Sequence, residues 1–466
     1  MSTVKASYTI TPNESTPNGR FWLTDLDQVV RRSHTPLIFI YKLKQNTLNR
    51  TIVQILKTSL SKILVHYYPI AGRYCFAKGG RIELNLNAKG AVLIEAETTK
   101  TLHDYGDFSP SDSTKELIPK IDYNQPIEEI PLFVAQVTRF QNKNESFGFA
   151  LGIAYSHALS DAIGCFSLMN SWAKIARGET LEANELPFLD RTILKFSHTP
   201  IAPPHFEHIE LEPLPLILGR SDTDIESKKK TTAELFRLTK EEVAKLKKKA
   251  NEFDIPKGSR PYSRFEAICA HIWRCASKAR ELEENQQSVV RFNVEIRNRM
   301  IPNLPKNFYG DALIQTTARG YIGEITSKPL SYVALKIREA HKMITNEYIR
   351  SHIDVIRSFE NLDDARKLFI GAFVGNPNLH ISSWIALPPC KADFGWGNPF
   401  HFGLGYVSPQ DRGLIYLNPN GDGSVIVDMH LQVAVMQIFK KFFYGDLHEL
   451  LTSAARFLRV LSLHLK

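Results

Sequence analysis

The chain is poor in cysteine, with five in 466 residues. These cysteines are scattered, odd in number and include no Cys-x-x-Cys pair, so neither a disulfide framework nor a zinc site of paired cysteines is expected. Such usage favours a reducing compartment. We therefore expect a cytoplasmic protein without a bound metal.

Long hydrophobic runs are also missing. The N-terminal stretch Met1–Lys5 carries no apolar segment of the kind found in secretory signals, and no apolar run approaches the length that spans a bilayer. The sequence therefore predicts neither secretion nor membrane insertion, and we expect no membrane partner.

The glycine-rich nucleotide-binding motifs are absent as well. No Gly-x-Gly-x-x-Gly follows a strand pattern and no P-loop motif occurs, which disfavours Rossmann and P-loop proteins.

The net charge of +9 is moderately basic. Because the basic runs lack interleaved aromatic residues, nucleic acid is disfavoured, and an anionic cosubstrate such as CoA suits the charge as well.

The most informative stretch that is present is His157-Ala-Leu-Ser-Asp161. It follows residues 147–155, where large side chains alternate with glycine and alanine. This alternation predicts a strand whose small face can lie against other backbone. From Asp161 the apolar spacing becomes helical. A histidine at such a corner can act as a general base, and the alternative is a structural histidine with a helix-capping aspartate.

Strand and helix patterns are mixed along the chain without regular β-α-β spacing. This favours an α/β protein of the mixed α+β kind with two domains. A proline-rich segment of poor periodicity predicts a long crossover between them. We divide the chain into an N-terminal domain (1–190), a crossover linker (191–230) and a C-terminal domain (231–466). Near the end, Asn420–Gly423 predicts a hairpin turn.

A second motif, Asp393-Phe-Gly-Trp-Gly397, favours the interpretation of His157 as a general base. Together with His157–Asp161 it resembles the two signatures of the BAHD family of plant acyl-CoA-dependent acyltransferases. Tyr67–Arg73 resembles the family's YYPLAGR run. Val294–Arg299 and Ser382–Trp384 resemble two further family stretches, so the resemblance covers essentially the whole chain.

The chain departs from the family pattern at three places. Ala162 stands where the family usually has glycine after the motif aspartate. Pro302-Asn-Leu-Pro305 replaces Pro-Pro-Leu-Pro, and Gly310-Asp311 replaces Gly-Asn. None of these changes removes the motif histidine.

The resemblance implies two chloramphenicol-acetyltransferase-like domains with an active-site tunnel between them. His157 would lie midway and take the proton from an acceptor N–H or O–H as that atom attacks the thioester, without an acyl-enzyme. Ser382 and Trp384 would lie near the oxyanion. Acyl-CoA would be a cosubstrate, with no cofactor and no metal.

The resemblance assigns structural roles to the other motif residues. Asp161 would point away from the substrate and pair with Arg297. Asp393, Gly395 and Gly397 would shape a loop away from the chemistry.

Ser263 and Arg264 match a stretch that helps to hold CoA in relatives. The alternative is a helix N-cap at Ser263. The two interpretations are compatible, because a helix N-terminus also suits phosphate.

The acceptor is predicted from an absence and a resemblance. Relatives that acylate shikimate or quinate place an arginine about a dozen residues before the Ser/Thr-Ser-Trp strand, whereas residues 367–383 contain none. Thr16–Thr24 and His34–Lys42 resemble the spermidine and spermine hydroxycinnamoyl transferases. We therefore expect transfer of a hydroxycinnamoyl group from CoA to an amine of a polyamine.

A polyamine needs a carboxylate near its distant ammonium, because an unpaired buried charge is costly. The candidate carboxylates are Asp311, Asp354 and Glu360. His34 and Phe39 fall on family positions that line the acceptor side. Two alternatives stay open: O-acylation of an alcohol or a shikimate- or quinate-type acceptor, and a catalytically inactive binding relative. We expect a monomer.

Overall fold

The computed structural model describes residues 2–43, 49–141, 148–196, 204–253, 258–369, 374–387, 390–406 and 411–447. Within these ranges the strands form two six-stranded sheets and one three-stranded sheet, with helices packed on them. No helix in the described ranges combines the length and the apolar character that crossing a bilayer requires.

The strands and helices alternate irregularly along the chain, as the mixed patterns predict. The strands are β1 (Thr3–Ile10), β2 (Gly19–Phe21), β3 (His34–Lys42), β4 (Arg73–Phe76), β5 (Ile82–Leu86), β6 (Ala91–Glu97), β7 (Phe133–Arg139), β8 (Gly148–Ser156), β9 (Thr231–Leu238), β10 (Gln287–Glu295), β11 (Leu313–Tyr321), β12 (Leu379–Ser383), β13 (His401–Leu404), β14 (Arg412–Leu417) and β15 (Val425–Gln432). The helices are α1 (Asp25–Gln28), α2 (Asn49–His66), α3 (Asp112–Lys115), α4 (Ala162–Ala176), α5 (Asp224–Ser227), α6 (Lys240–Ala250), α7 (Arg264–Arg280), α8 (Ile322–Ser327), α9 (Leu330–Lys342), α10 (Asn346–Ser358), α11 (Leu362–Phe369) and α12 (residues 433–447).

The first large sheet has the strand order β1-β6-β7-β8-β3-β13. All of its strands come from the N-terminal half except β13, which pairs antiparallel with β3. Residues 37–41 of β3 are at most 1% exposed. Their backbone groups therefore need a partner on the outer edge, because a buried unpaired N–H or C=O is costly. One strand of the C-terminal segment 231–466, β13, thus belongs to the first sheet.

The second large sheet has the order β11-β10-β12-β14-β15-β9. One face packs against α7 and α9 through apolar residues, among them Val290, Ile381 and Met429. The other face carries Leu414 and Tyr416, which belong to the hydrophobic core of the first sheet. This second face is therefore turned toward the N-terminal part of the molecule.

The proline-rich segment forms only short helical turns within its described residues. These are Arg191–Leu194, Ile209–Leu211 and α5. Glu210 is 1% exposed and fastens the middle turn to α10, because it accepts hydrogen bonds from His208 (2.9 Å) and His352 (2.7 Å). The crossover is thus held to the C-terminal part of the molecule.

Candidate active site

His157 lies at the corner where β8 ends and α4 begins. The small face of β8 approaches other backbone closely, since a Cβ on Gly152 would lie 1.9 Å from the carbonyl oxygen of Leu117. This confirms the packing predicted from the alternation. A 3-10 turn, His157–Leu159, follows, and the His157 backbone N–H donates to the carbonyl of Ser33 at 3.1 Å. The backbone of the histidine is thereby fixed beside the start of β3.

The His157 ring lies deep in the protein but is not sealed. Its side chain keeps 37% of its surface accessible, whereas its Nδ1 atom is buried. The accessible surface therefore belongs to the other atoms of the side chain. Burial lowers the pKa of His157, because it disfavours the imidazolium. A neutral imidazole with an accessible edge is the form that a general base requires.

The buried Nδ1 atom of His157 faces Asp311. Its distance to Asp311 Oδ2 is 3.9 Å, and neither atom has a hydrogen-bond partner among the described residues. The carboxylate is held in place, since Oδ1 accepts from the N–H of Leu313 (3.0 Å) and the Asp311 N–H donates to Asp27 (2.8 Å). Burial and the nearby carboxylates of Asp161 and Asp27 raise the pKa of Asp311 well above its usual range.

The predicted ion pair between Asp161 and Arg297 is present. Arg297 donates to both carboxylate oxygens, at 2.7 and 3.1 Å, and both side chains are at most 3% exposed. Asp161 also caps α4 through the N–H of Gly164 (3.1 Å) and accepts from Ala312 (3.2 Å). It therefore fixes both the helix after His157 and the segment that carries Asp311.

Trp384 and Ser382 come from the second sheet. The Trp384 ring packs edge-on against Phe166 of α4 (centroids 5.2 Å apart) and is stacked on Phe402 (5.8 Å). Its backbone N–H donates to Ile415 at 2.7 Å, so this group is not available to an oxyanion. Ser382 is half-buried at the end of β12. Contact through Phe166 places Trp384 beside the helix that follows His157.

The Asp393–Gly397 motif forms a loop against the other end of α4. Asp393 Oδ1 accepts from the N–H groups of Gly395 and Gly397, both at 2.9 Å. The two glycines have φ values of +108° and +97°, which side chains rarely adopt. Phe394 is 1% exposed and packs edge-on against Trp172. These contacts fit the structural role predicted for this motif.

Ser263 caps α7, as the alternative interpretation predicts. Its Oγ accepts from the Glu266 N–H (3.2 Å), and Glu266 accepts from the Ser263 N–H (2.6 Å). Glu266 forms its ion pairs with Arg338 and Arg260, and Arg264 is exposed. A role for Ser263 and Arg264 in holding CoA stays a prediction.

The two predicted acceptor-side positions make contacts within the protein, and an acceptor-binding role for them stays a prediction. Both ring nitrogens of His34 are used within the protein, by Tyr123 Oη at 2.9 Å and the carbonyl of Pro131 at 2.8 Å. Phe39 has no accessible side-chain surface and packs against Phe402. Its side chain therefore packs inside the protein against Phe402 and does not line an open space.

The three candidate carboxylates have different surroundings. Asp311 faces His157, and Asp354 pairs with Arg357 on the same helix at 3.2 Å. Glu360 is exposed in the loop that touches Gly79. An acceptor-binding role for any of them stays a prediction.

The sequence interpretation missed a row of cationic and imidazole side chains. Arg291, His380, Arg412 and His430 lie opposite one another across β10, β12, β14 and β15. Paired residues of neighbouring strands project from the same face, and Ser382 shares it because it lies two residues after His380. No sequence signal gives this row, because it depends on which strands pair and in which register.

Comparison with known proteins identifies the family. The family model described as "Transferase family" matches residues 1–446. The chain is 42% identical to hydroxycinnamoyl-CoA:piscidic acid hydroxycinnamoyltransferase of Actaea racemosa, over 96% of this chain and 100% of the relative. It is 35% identical to shikimate O-hydroxycinnamoyltransferase of Nicotiana tabacum, over 95% and 99%. The chain belongs to the BAHD acyltransferase family.

The BAHD fold agrees with solved structures. Vinorine synthase matches with a TM-score of 0.71 at 21% identity, over 94% of this chain and 96% of that chain. F. sporotrichioides TRI101, solved with coenzyme A and T-2, matches with a TM-score of 0.70 at 17% identity, over 91% and 97%. The two-domain, chloramphenicol-acetyltransferase-like fold predicted from the sequence is confirmed, and acyl-CoA is the cosubstrate of the BAHD enzymes.

Proposed function

We propose that the protein transfers a hydroxycinnamoyl group from its CoA thioester to a hydroxyl group of a small acceptor, with His157 as the general base. The observation that carries the proposal is the position of His157, whose side chain is 37% accessible while its buried Nδ1 lies 3.9 Å from Asp311 Oδ2. Burial lowers the pKa of His157 and so favours the neutral ring that a general base requires. The hydroxycinnamoyl donor is supported by the names of the relatives from Actaea racemosa and Nicotiana tabacum.

In the proposed reaction, His157 Nε2 takes the proton of the acceptor hydroxyl as its oxygen attacks the thioester carbonyl carbon. The tetrahedral intermediate then collapses, the carbon–sulfur bond breaks, and His157 returns the proton to the CoA sulfur. Ser382 and Trp384 are the residues that we propose near the oxyanion, through the hydroxyl and the indole N–H.

Asp311 is the proposed positioning residue for His157. Burial and the nearby carboxylates of Asp161 and Asp27 raise the pKa of Asp311, which favours its neutral form in the resting site. A positive charge forming on the adjacent imidazole favours the ionised carboxylate, so the two groups are coupled. The distance of 3.9 Å shortens to a hydrogen bond with a small rotation of the ring, as is common when substrates bind.

A hydroxyl acceptor is better supported than the polyamine expected from the sequence. Of the acids suggested for an ammonium group, Asp311 faces His157, Asp354 pairs with Arg357 and Glu360 is exposed. The two relatives named above include an O-acyltransferase. Amine acylation remains the second candidate, because hydroxycinnamoyl-CoA:5-hydroxyanthranilate N-hydroxycinnamoyltransferase of Avena sativa is 32% identical over 95% of this chain and 99% of the relative.

The test is to incubate the purified protein with coumaroyl-CoA and acceptors of each class, and to measure release of free CoA and the mass of the product. We expect acceptor-dependent CoA release and a product that mild alkali cleaves, as an ester. Formation of alkali-stable amides only, with spermidine or another amine, would overturn the proposal of a hydroxyl acceptor.

A further inference from the structure

Arg191 lies at the start of the crossover and joins two parts of the active site. Its side chain is buried, and its guanidinium donates to Asp27 Oδ2 of α1 at 2.6 Å. A second N–H of the same group donates to the carbonyl of Leu159, the last residue of the turn that begins with His157. The turn that carries the histidine is thereby attached to α1.

Asp27 connects the same guanidinium to Asp311. Its side chain has no accessible surface, and its Oδ1 atom accepts from the Asp311 backbone N–H at 2.8 Å. Its Oδ2 atom accepts from Arg191 and also from the N–H (2.7 Å) and the hydroxyl (2.8 Å) of Thr24. One buried carboxylate therefore fixes the backbone of Asp311, whose Oδ2 lies 3.9 Å from His157 Nδ1.

Arg191 also lies against the segment that carries Asp311. A Cβ on Gly310 would lie 3.6 Å from Arg191 Nε. Three residues before Arg191, Phe188 forms a parallel bridge with Phe308. The positive charge of Arg191 is therefore held next to this segment as well as to the turn that carries the histidine.

Four charged side chains surround Asp311. Burial raises the pKa of Asp311, the carboxylates of Asp161 and Asp27 raise it further, and Arg297 lowers it. Asp161 is paired with Arg297 through two hydrogen bonds, and Asp27 is paired with Arg191. The effect of Asp27 on Asp311 therefore depends on whether Arg191 is present.

The histidine and Asp311 titrate together. Burial lowers the pKa of His157, Asp161 opposes this effect and the charge of Arg31 adds to it. A general base that acts through Nε2 carries its proton on Nδ1, where the ionised Asp311 can accept it. An additional proton on either group removes this arrangement, so the pair has one pH midpoint below which activity is lost.

We propose that Arg191 and Asp27 are positioning residues that fix this pair and set the pH range in which it acts; this rests on the proposed acyl transfer by His157. Their geometric role is in the hydrogen bonds to Leu159 and to the backbone of Asp311. Their electrostatic roles are opposite in sign. The negative charge of Asp27 favours an additional proton on the pair, and the positive charge of Arg191 disfavours it.

The test measures kcat from about pH 5 to about pH 9 with coumaroyl-CoA and the best acceptor. Asp27→Asn removes a negative charge, so the midpoint on the acidic side should move down by about one pH unit. Arg191→Gln leaves Asp27 uncompensated, so the same midpoint should move up by about one pH unit. A merely structural role would lower kcat in both variants without shifts in opposite directions.

Arg191→Lys and Asp25→Asn are the matched controls. Lysine keeps the positive charge but lacks the planar fork that donates to both partners, so kcat should fall while the midpoint stays near that of the wild type. Asp25 lies on the same helix as Asp27 but pairs with Arg81 at 2.8 Å. Asp25→Asn should therefore keep the wild-type kcat and midpoint.

Unshifted midpoints, or shifts of Asp27→Asn and Arg191→Gln in the same direction, would overturn the proposal. If one of these variants does not fold, the other decides, since each has its own expected direction. If neither folds, the double variant, which leaves no unpaired charge, is measured instead. Its kcat should fall at least about tenfold at constant acceptor KM, and a wild-type kcat would overturn the proposal.

The outcomes separate this proposal from the proposed function. A fully active His157→Ala would remove acyl transfer by His157, and the positioning roles with it. Unshifted midpoints in variants whose activity still depends on His157 would remove the positioning roles alone. Formation of amides instead of esters would leave them intact, because His157 takes the proton from either kind of acceptor.

Discussion

At the scale of single residues, the chemistry depends on how three carboxylates differ in their surroundings. Asp161 is neutralised by two hydrogen bonds from Arg297, and Asp27 pairs with Arg191 at 2.6 Å. Asp311 lies beside both and faces His157. Two of the three carboxyl groups are thus paired with arginine, whereas the third has a raised pKa and can respond to a charge on the histidine.

Replacing Asp311 by Asn keeps the shape of the side chain and removes its ability to ionise. We expect kcat to fall by roughly 10- to 100-fold, since a hydrogen bond to a charged group contributes about 1.5–3 kcal/mol. The acceptor KM should change little, because Asp311 acts through His157. Steady-state kinetics with both substrates check this, with Asp354→Asn as the control. A rise in the acceptor KM at constant kcat would instead make Asp311 an acceptor-binding residue.

At the scale of elements, the corner that carries His157 depends on the small face of β8. Gly152 and Gly148 lie where backbone passes at distances that leave no room for a Cβ. The sequence alternation was sufficient to predict this strand, because side chains of period two define its faces. The hairpin was also predictable, because the turn residues Asn420–Gly423 are followed by apolar residues two positions apart. Of these, Val425 and Val427 are fully buried.

Gly152→Ala should therefore destabilise the protein. Its Cβ would meet the carbonyl oxygen of Leu117 at 1.9 Å, and inserting a methyl group into a packed interior costs about 1–3 kcal/mol. Urea unfolding followed by circular dichroism measures the change. Gly445→Ala is the control, because a Cβ there meets nothing within 4 Å. Equal stability of both variants would mean that β8 does not pack as described.

Strand β13 and the cationic row were not predictable from the sequence. The four residues His401–Leu404 are too short for a period to indicate a sheet, and their partner β3 lies more than three hundred positions earlier in the chain. Likewise, His380 and Arg412 become neighbours only through the pairing of β12 with β14.

At the scale of the whole molecule, the crossover joins the two halves and is fastened at Glu210. Burial alone would raise the pKa of Glu210, but hydrogen bonds from His208, His352 and Tyr348 lower it well below the usual value. Because its pKa is depressed in the folded protein, its contribution to stability is present above the ordinary value of 4.5 and is lost as the pH falls below it. The hydrogen bonds that Glu210 accepts therefore stabilise the fold at neutral pH.

Glu210→Gln should lower the free energy of unfolding at neutral pH by about 3–5 kcal/mol, the usual cost of removing one partner of a buried ionic network. The loss should shrink as the pH drops below 4.5, where the wild-type contribution fades. Urea unfolding at several pH values measures both effects. The matched control is Glu207→Gln, at an exposed position of the same segment. A loss independent of pH would show that the charge of Glu210 is not what stabilises the crossover.

The central claim, that His157 is the general base, is tested most directly by the activity of His157→Ala. The account predicts that kcat with coumaroyl-CoA and the best acceptor falls by roughly 10²–10⁴-fold, while the circular dichroism spectrum and coumaroyl-CoA binding stay those of the wild type. His103→Ala, at an exposed position, should retain full activity. A folded His157→Ala that keeps more than about a third of the wild-type kcat would contradict the account, since general-base catalysis contributes far more than threefold.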